Sequence, residues 1–480
     1  ALPISNLQLG ISMTMSGLLY LCLFQLLFCQ PFSTVSCTFL NATSVTYGTD
    51  SFTQLLTSLL PVNSKCEVAG ERGVCENKLV CSVGFGLSLG NGNCTFDRVC
   101  CQYKYTCGGT LKALQGVFQN PSYPQTDSIK RMCSFKIDVA ATTCAISINM
   151  RDYSVGVIEN GGCLQDAFTV VNYPKPGMVN LCGNLNGHWE KFAFTRQMSD
   201  ALEINQLLQS SNYKWFLEIV QWDNCLPIVT EYADCGIGAT SVKEATGGPT
   251  QEKLPPWTAA LQWTAKTTLF CGATLITAWY VITDAKCVYS IPVDQILVYI
   301  EETVSSSADP IPINRKVSRI VSPWTYKETS SSIVDKLALV KMASPVTFTP
   351  YLRPICFPLS GGITEGTEVS YMTRSYAPPL IPSTSSPRFL YRSNVVSLGA
   401  CQREWDTSGL SIDSTKFCTQ FVNGPCWNQP GHAASITRSN TAAVEIAGIY
   451  AKSNCVGSTN PSVIHTNLYS YLPWLRMSIV

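Results

Sequence analysis

Apolar and polar residues alternate with a period of two in short runs along this chain. Ala145-Ile146-Ser147-Ile148-Asn149-Met150 and Ala167-Phe168-Thr169-Val170-Val171 are of this kind, the pattern of strands with one buried face. Turn-forming clusters separate such runs, among them Asn120-Pro121-Ser122-Tyr123-Pro124 and Asn160-Gly161-Gly162, and the spacing predicts a β-sandwich over the unit that ends near Cys225. Further on, Cys271 to Cys287 (CGATLITAWYVITDAKC) reads as two short strands closed by a disulfide. The segment around Tyr469 to Leu475 reads as a short closing helix. The pattern is that of an all-β chain, and 480 residues are enough for about two to four domains.

Cysteine usage sets the compartment. The 23 cysteines are spread over the chain rather than gathered in CxxC pairs, which favours disulfides in an oxidising environment over zinc. With 14% charged residues and a net charge of +1, nothing points to nucleic acid or to an anionic surface. Gly17 to Phe28 is uncharged and mostly apolar, the length of a signal-peptide core and short for a membrane span. No Lys or Arg precedes it. Residues 1–36 are therefore expected to be a signal region and the protein to be secreted, without stable membrane insertion. The rival reading is an anchor helix extended back to Ile11. Asn41-Ala42-Thr43 and Asn93-Cys94-Thr95 are glycosylation sequons, so Asn41 and Asn93 are candidate acceptors.

Within residues 37–104, six cysteines (Cys66, Cys75, Cys81, Cys94, Cys100 and Cys101) crowd among glycines and polar residues. There is too little apolar sequence for a core, so disulfides must hold this module. Residues 105–225 resemble a CUB domain, in the form found after a short cysteine cluster in arthropod secreted proteins. The matching stretches are Phe118 to Pro124, Cys163-Leu164-Gln165-Asp166-Ala167-Phe168 and Cys182-Gly183-Asn184-Leu185-Asn186-Gly187-His188. The resemblance implies the pairs Cys107–Cys133 and Cys163–Cys182, and leaves Cys144 and Cys225 as a third. Asp166 matches one calcium-ligand position of CUB domains. Gly156 falls where a glutamate would be, unless Glu159 substitutes. One named ligand is short of the six to eight oxygens that calcium takes, so Asp166 is expected to be a loop carboxylate and no cofactor is implied.

Residues 226–256 read as a linker, and residues 257–480 resemble the trypsin/chymotrypsin-type serine proteases, with a double β-barrel. The stretches that carry the likeness are Trp257 to Gln262, Cys271 to Cys287, Leu337 to Met342, Arg353-Pro354-Ile355-Cys356-Phe357-Pro358 and Tyr469 to Leu475. The resemblance implies the pairs Cys271–Cys287, Cys401–Cys418 and Cys426–Cys455, with Cys235–Cys356 tethering the linker. Cys37 is left over once the signal region's cysteines are set aside.

The same resemblance locates the catalytic positions, and the chain departs from each. The segment that normally ends in the general-base histidine ends here in Lys286 before Cys287, and a lysine charged at neutral pH cannot accept a proton. Lys336 holds the carboxylate position before Leu337-Ala338-Leu339. Asp335 lies one residue back, where a strand points its side chain to the other face. Pro430 takes the nucleophile's place, Asn428 that of the oxyanion glycine, Gln429 that of the aspartate that meets the new N-terminus, and Gly424 that of the pocket floor. The activation sequence is replaced by Glu244 to Gly248, with Lys243 before it. Loss of a triad serine or histidine alone costs roughly a millionfold in rate.

These residues predict a catalytically silent protease homologue that acts by binding. The resemblance implies extracellular partners, proteins or glycans, including an active protease or its zymogen, in cascades, immunity or venom. The competing reading is an active serine-type endopeptidase with non-standard machinery, for example Lys286 serving a displaced Ser435. His188, His432 and His465 show no metal-ligand spacing. Lys286 and Lys336 are expected to reach solvent, the alternative being an anion site between them.

Overall fold

The computed structural model describes residues 64–479, apart from 96–97, 160–161, 164, 175–178, 226–231, 239–249, 252–254, 267, 303–310, 359–361, 374–388, 421–429, 440 and 455–461. The signal region, Cys37, Asn41, Lys243, Glu244, Gly424, Cys426, Asn428, Gln429 and Cys455 lie outside the described residues. Among the described residues no helix is long and apolar enough to cross a membrane.

The cysteine-rich module is a small sheet of β1 (Lys65–Val68), β2 (Glu71–Asn77), β3 (Leu87–Ser88) and β4 (Arg98–Gln102), in the order β1-β2-β4-β3. A one-and-a-half-turn helix, α1 (Lys78–Val83), crosses it. Cys66–Cys100, Cys75–Cys94 and Cys81–Cys101 hold it together. Its interior is largely the disulfides themselves, as expected of a chain this poor in apolar residues. Asn93 is exposed on the turn before Cys94.

Next comes a two-sheet sandwich. One sheet holds β6 (Arg131–Asp138), β8 (Ala167–Val171) and β10 (Ala201–Leu208). The other holds β5 (Gln115–Gln119), β7 (Ala145–Val155), β9 (His188–Ala193) and β11 (Lys214–Trp222). Apolar faces of both sheets meet in a core around Phe118, Phe135, Phe168, Trp215 and Leu217. Cys107–Cys133, Cys144–Cys225 and Cys163–Cys182 are disulfides. The cysteine-rich module sits on the second sheet. Gln115 donates to Cys66 O at 3.1 Å, and Arg151 pairs with both Glu71 and Glu218 at 2.9 Å.

The C-terminal part forms two closed six-stranded antiparallel barrels. The first contains β12 (Thr258–Trp263), β13 (Leu269–Leu275), β14 (Tyr280–Thr283), β15 (Ile296–Glu302), β16 (Ile311–Val321) and β17 (Ala338–Met342), closed by β15 pairing β16. The second contains β18 (Glu368–Thr373), β19 (Phe389–Val396), β20 (Lys416–Gln420), β21 (Ala433–Thr437), β22 (Val444–Ser453) and β23 (Ser462–Asn467), closed by β19 pairing β20. Helices α2 (Leu398–Trp405) and α3 (Leu472–Ser478) complete this part. Cys271–Cys287, Cys401–Cys418 and the tether Cys235–Cys356 are formed.

Sandwich and first barrel share one sheet. Strand β9 pairs in parallel with β16, His188 opposite Ile320 and Trp189 opposite Val321. Just past this pairing, Trp324 leaves its own barrel and enters the sandwich core, edge-on to Phe168 at 5.3 Å and tilted against Phe192 at 6.2 Å. Its backbone N–H donates to Glu190 Oε2 at 3.0 Å, and Tyr173 donates to the other oxygen at 2.6 Å. Burying an aromatic of this size is worth several kcal/mol. The substitution Trp324→Ala should therefore cost about 3–5 kcal/mol and lower the unfolding midpoint by several degrees. Circular-dichroism melting measures it; an unchanged midpoint would remove Trp324 as the joint.

Candidate functional site

The site lies where the two barrels meet. Strand β14 ends at Thr283, and Asp284 then caps a single 3-10 turn, Ala285–Cys287, its Oδ1 accepting the Lys286 N–H at 2.9 Å. The Cys271–Cys287 disulfide fixes that turn to β13. Lys336 lies two residues ahead of β17, which pairs with β14, and its side chain enters from there. Its Nζ donates to Ala451 O on β22 at 2.6 Å and to Glu328 Oε1 at 2.9 Å, and stands 3.5 Å from Asp284 Oδ2. Thr466 on β23 donates to the Lys336 carbonyl at 3.1 Å. Both barrels therefore hold this lysine.

The expectation that both lysines reach solvent is corrected at Lys336. Its side chain is 3% exposed and that of Asp284 0%. A charge this deep needs partners, and Glu328, Asp284 and the Ala451 carbonyl supply them. Lys286 is the outer member, 62% exposed and 3.7 Å from the same Glu328 oxygen. The lysines thus share a carboxylate between them. Burial pushes the Asp284 carboxyl up to about 7 despite Lys336. Burial would also raise Glu328, but Lys336 and then Lys286 outweigh it and hold its carboxyl below the usual glutamate range. Tyr326 donates to the second Glu328 oxygen at 3.2 Å.

Asp335 does not enter this cluster. Its backbone is left-handed (φ 47°), and its carboxylate accepts the hydroxyls of Tyr471, at 2.8 Å, and Thr325. Pro430 lies on the facing loop, where its carbonyl accepts the Gly272 N–H at 2.9 Å. The next residue, Gly431, has φ +84°, and a Cβ there would run into the Gly272 carbonyl, so only glycine fits that close approach. The His432 ring packs over Gly272, whose missing side chain makes the room. Ser435 is on β21 and donates to Ser370 O of β18 at 3.1 Å.

His465 is fully buried in the second barrel. It stacks between Tyr371 and Phe417 at 5.2 and 4.8 Å, with Nε2 in hydrogen-bond contact with Thr419 Oγ1 and Tyr371 Oη. Burial pushes its imidazolium down to about 3. His188 is buried beside the sandwich–barrel joint with Nε2 on Ile291 O at 3.2 Å, and burial takes it down to about 4. In the sandwich, Asp166 Oδ1 accepts the backbone N–H groups of Gln209 and Ser210 at 2.6 and 3.0 Å. Among the described residues the only grouping of three potential metal ligands is Cys66, Cys75 and Cys94, all in disulfides.

Sequence reasoning assigned no role to Asp284 or Glu328. A lysine entering an apolar strand such as Leu337 to Met342 demands a buried carboxylate, and Asp284 next to Lys286 was the available signal. Glu328, on a short hairpin strand, carries no local mark.

Two closed six-stranded barrels meeting at this cluster define the chymotrypsin-type architecture. Residues 245–475 match the trypsin family profile. Over 267 residues, 52% of this chain and 73% of the relative, the sequence is 23% identical to the CLIP domain-containing serine protease B4 of Anopheles gambiae. It is 25% identical to phenoloxidase-activating factor 3 of Holotrichia diomphalia, over 58% of this chain and 84% of the relative. It is 26% identical to the human transmembrane protease serine 11B, over 49% and 55%. The C-terminal half of the chain is trypsin-like in sequence and fold, with insect serine proteases and a human one among its relatives.

Two predictions follow from the burial of these charges. Lys336→Ala strands Asp284 and Glu328 at the barrel junction and should destabilise the protein by about 3–5 kcal/mol. Adding Asp284→Asn should recover part of that loss in denaturant unfolding; strict additivity would disprove the coupling. His465 has a folded-state value below its unfolded one, so its neutral form stabilises the fold above about pH 6.5. That contribution is lost as pH falls from there toward about 3. The His465→Phe variant should show a shallower fall in stability across this window, whatever its absolute stability, in melts at stepped pH.

Proposed function

We propose that this protein is a secreted, catalytically silent protease homologue that works as a binding or scaffold component of an extracellular protease cascade. The observation that carries the reading is the cluster Lys286–Glu328–Lys336–Asp284. A general base must be able to take a proton from a nucleophile. At the corresponding place stands the exposed ammonium of Lys286, and behind it a buried lysine instead of a carboxylate. The described histidines in this part, His432 and His465, sit elsewhere, His465 enclosed by aromatic rings. Pro430 brings no hydroxyl to the nucleophile position.

Kinship with cascade proteins gives the reading its setting. A relative named phenoloxidase-activating factor matches over most of its length, which favours another protease or its zymogen as partner. The sandwich, fixed rigidly to the barrels, adds a second surface for proteins or glycans. The disulfides throughout the described chain fit an extracellular location.

The competing reading is an active endopeptidase in which Ser435 acts with Lys286. A fluorophosphonate probe on the purified protein decides between them. No labelling is expected beside an active trypsin control; labelling that a serine-protease inhibitor competes away would overturn the proposal. Capture from the native extracellular fluid on the immobilised full chain should then retain a protease or zymogen.

A further inference from the structure

We propose that Lys336 and Asp284 form an intramolecular amide bond, so that a covalent cross-link occupies the place of a catalytic apparatus. The reacting groups are already together: Lys336 Nζ is 3.5 Å from Asp284 Oδ2, with both side chains sealed from water. Contact at this range in a fixed geometry replaces a bimolecular encounter and supplies a large effective concentration. Among the described residues Asp284 Oδ2 has only the Lys336 ammonium beside it, at 3.5 Å, whereas Oδ1 is held by the Lys286 N–H at 2.9 Å. The two oxygens are thereby differentiated. Oδ1 is the one that stays as the amide oxygen, with a backbone donor aimed at the negative charge it carries in the tetrahedral intermediate. Oδ2 is the one that leaves.

The third group is a proton relay. Glu328 Oε1 accepts from Lys336 Nζ at 2.9 Å. The Lys336 ammonium gives one proton to the Asp284 carboxylate, which makes an amine and a carboxylic acid. The amine lone pair attacks Asp284 Cγ and forms the C–N bond. Glu328 takes a second proton from the nitrogen and passes it to the Oδ2 hydroxyl. The C–Oδ2 bond breaks and one water departs, leaving a neutral amide. Ammonium plus carboxylate becomes amide plus water, with no oxidant, reductant or co-reactant. The raised carboxyl of Asp284 makes its acid form accessible near neutral pH. Glu328, held ionised between two lysines, is suited to relay rather than to be attacked. Its side chain is 21% exposed, which gives the water a way out beside Lys286.

The bond would fasten the disulfide-closed turn at Cys287 to the entry of β17. A buried ion pair has to offset its own desolvation; an amide removes both charges at once.

Peptide mapping of the secreted full-length protein tests this. After reduction, alkylation and trypsin, an unlinked chain releases residues 328–336, between the cuts after Lys327 and Lys336. With the bond in place that peptide is absent. Residues 267–286 then appear joined to residues 328–341, lighter by one water than the two peptides together. Lys336→Arg keeps the cation but cannot form the amide, and Glu328→Gln removes the relay; both should restore the separate peptides. Full recovery of 328–336 from the denatured wild-type protein would overturn the proposal. So would fragmentation that places the link on Glu328 instead of Asp284.

Discussion

A positive charge closed between two β-barrels has to be answered within a few ångströms, because water cannot reach it. Lys336 is answered by Glu328, Asp284 and a carbonyl of the second barrel. Burying an ion costs several kcal/mol even after relaxation, so these partners are conditions for closing the two barrels on each other. The turn that ends in Cys287, the hairpin of Glu328 and the entry to β17 are arranged around one ammonium group.

A second constraint acts on the molecule as a whole. Trp324 fills the core of the sandwich rather than of its own barrel, and Glu190 closes around its backbone. Pulling the domains apart would open a hole in one core and expose an aromatic ring from the other. With β9 added to β16 and α3 lying against β9, the sandwich and first barrel behave as one body. The cysteine-rich module is attached through Arg151, Glu71 and Gln115. The three modules are therefore held in a fixed arrangement, and a rigid surface loses less entropy on binding than a mobile one.

Much of this was legible in the residues. Strand runs such as Ala145 to Met150 and Ala167 to Val171 became β7 and β8 because their alternation matches a sheet with one buried face. Cysteine spacing exposed the modules, since each must close its own disulfides. Lys286, Lys336 and Pro430 were visible because they stand in recognisable surroundings. What the residues did not show depends on distant pairing. The parallel contact of β9 with β16 has no periodic signature, and neither does the departure of Trp324 into a foreign core. The fate of Lys336 was misjudged because a long cationic side chain before a strand usually snorkels to water. Here its length is used up reaching Ala451 O, and Glu328 arrives from a hairpin that no pattern connects to it.

The two constraints bear on each other. Glu328 lies only a few residues beyond Trp324, on the hairpin of Lys327–Glu328 with Ile333–Val334. Thr325 and Tyr326 between them hydrogen-bond to Asp335 and to Glu328 itself. The segment that anchors the sandwich is thus the segment that delivers the carboxylate to Lys336. Moving Trp324 out of the sandwich would shift the hairpin and weaken the hold on the buried ammonium. Stability of the charge cluster and attachment of the sandwich are therefore one structural decision.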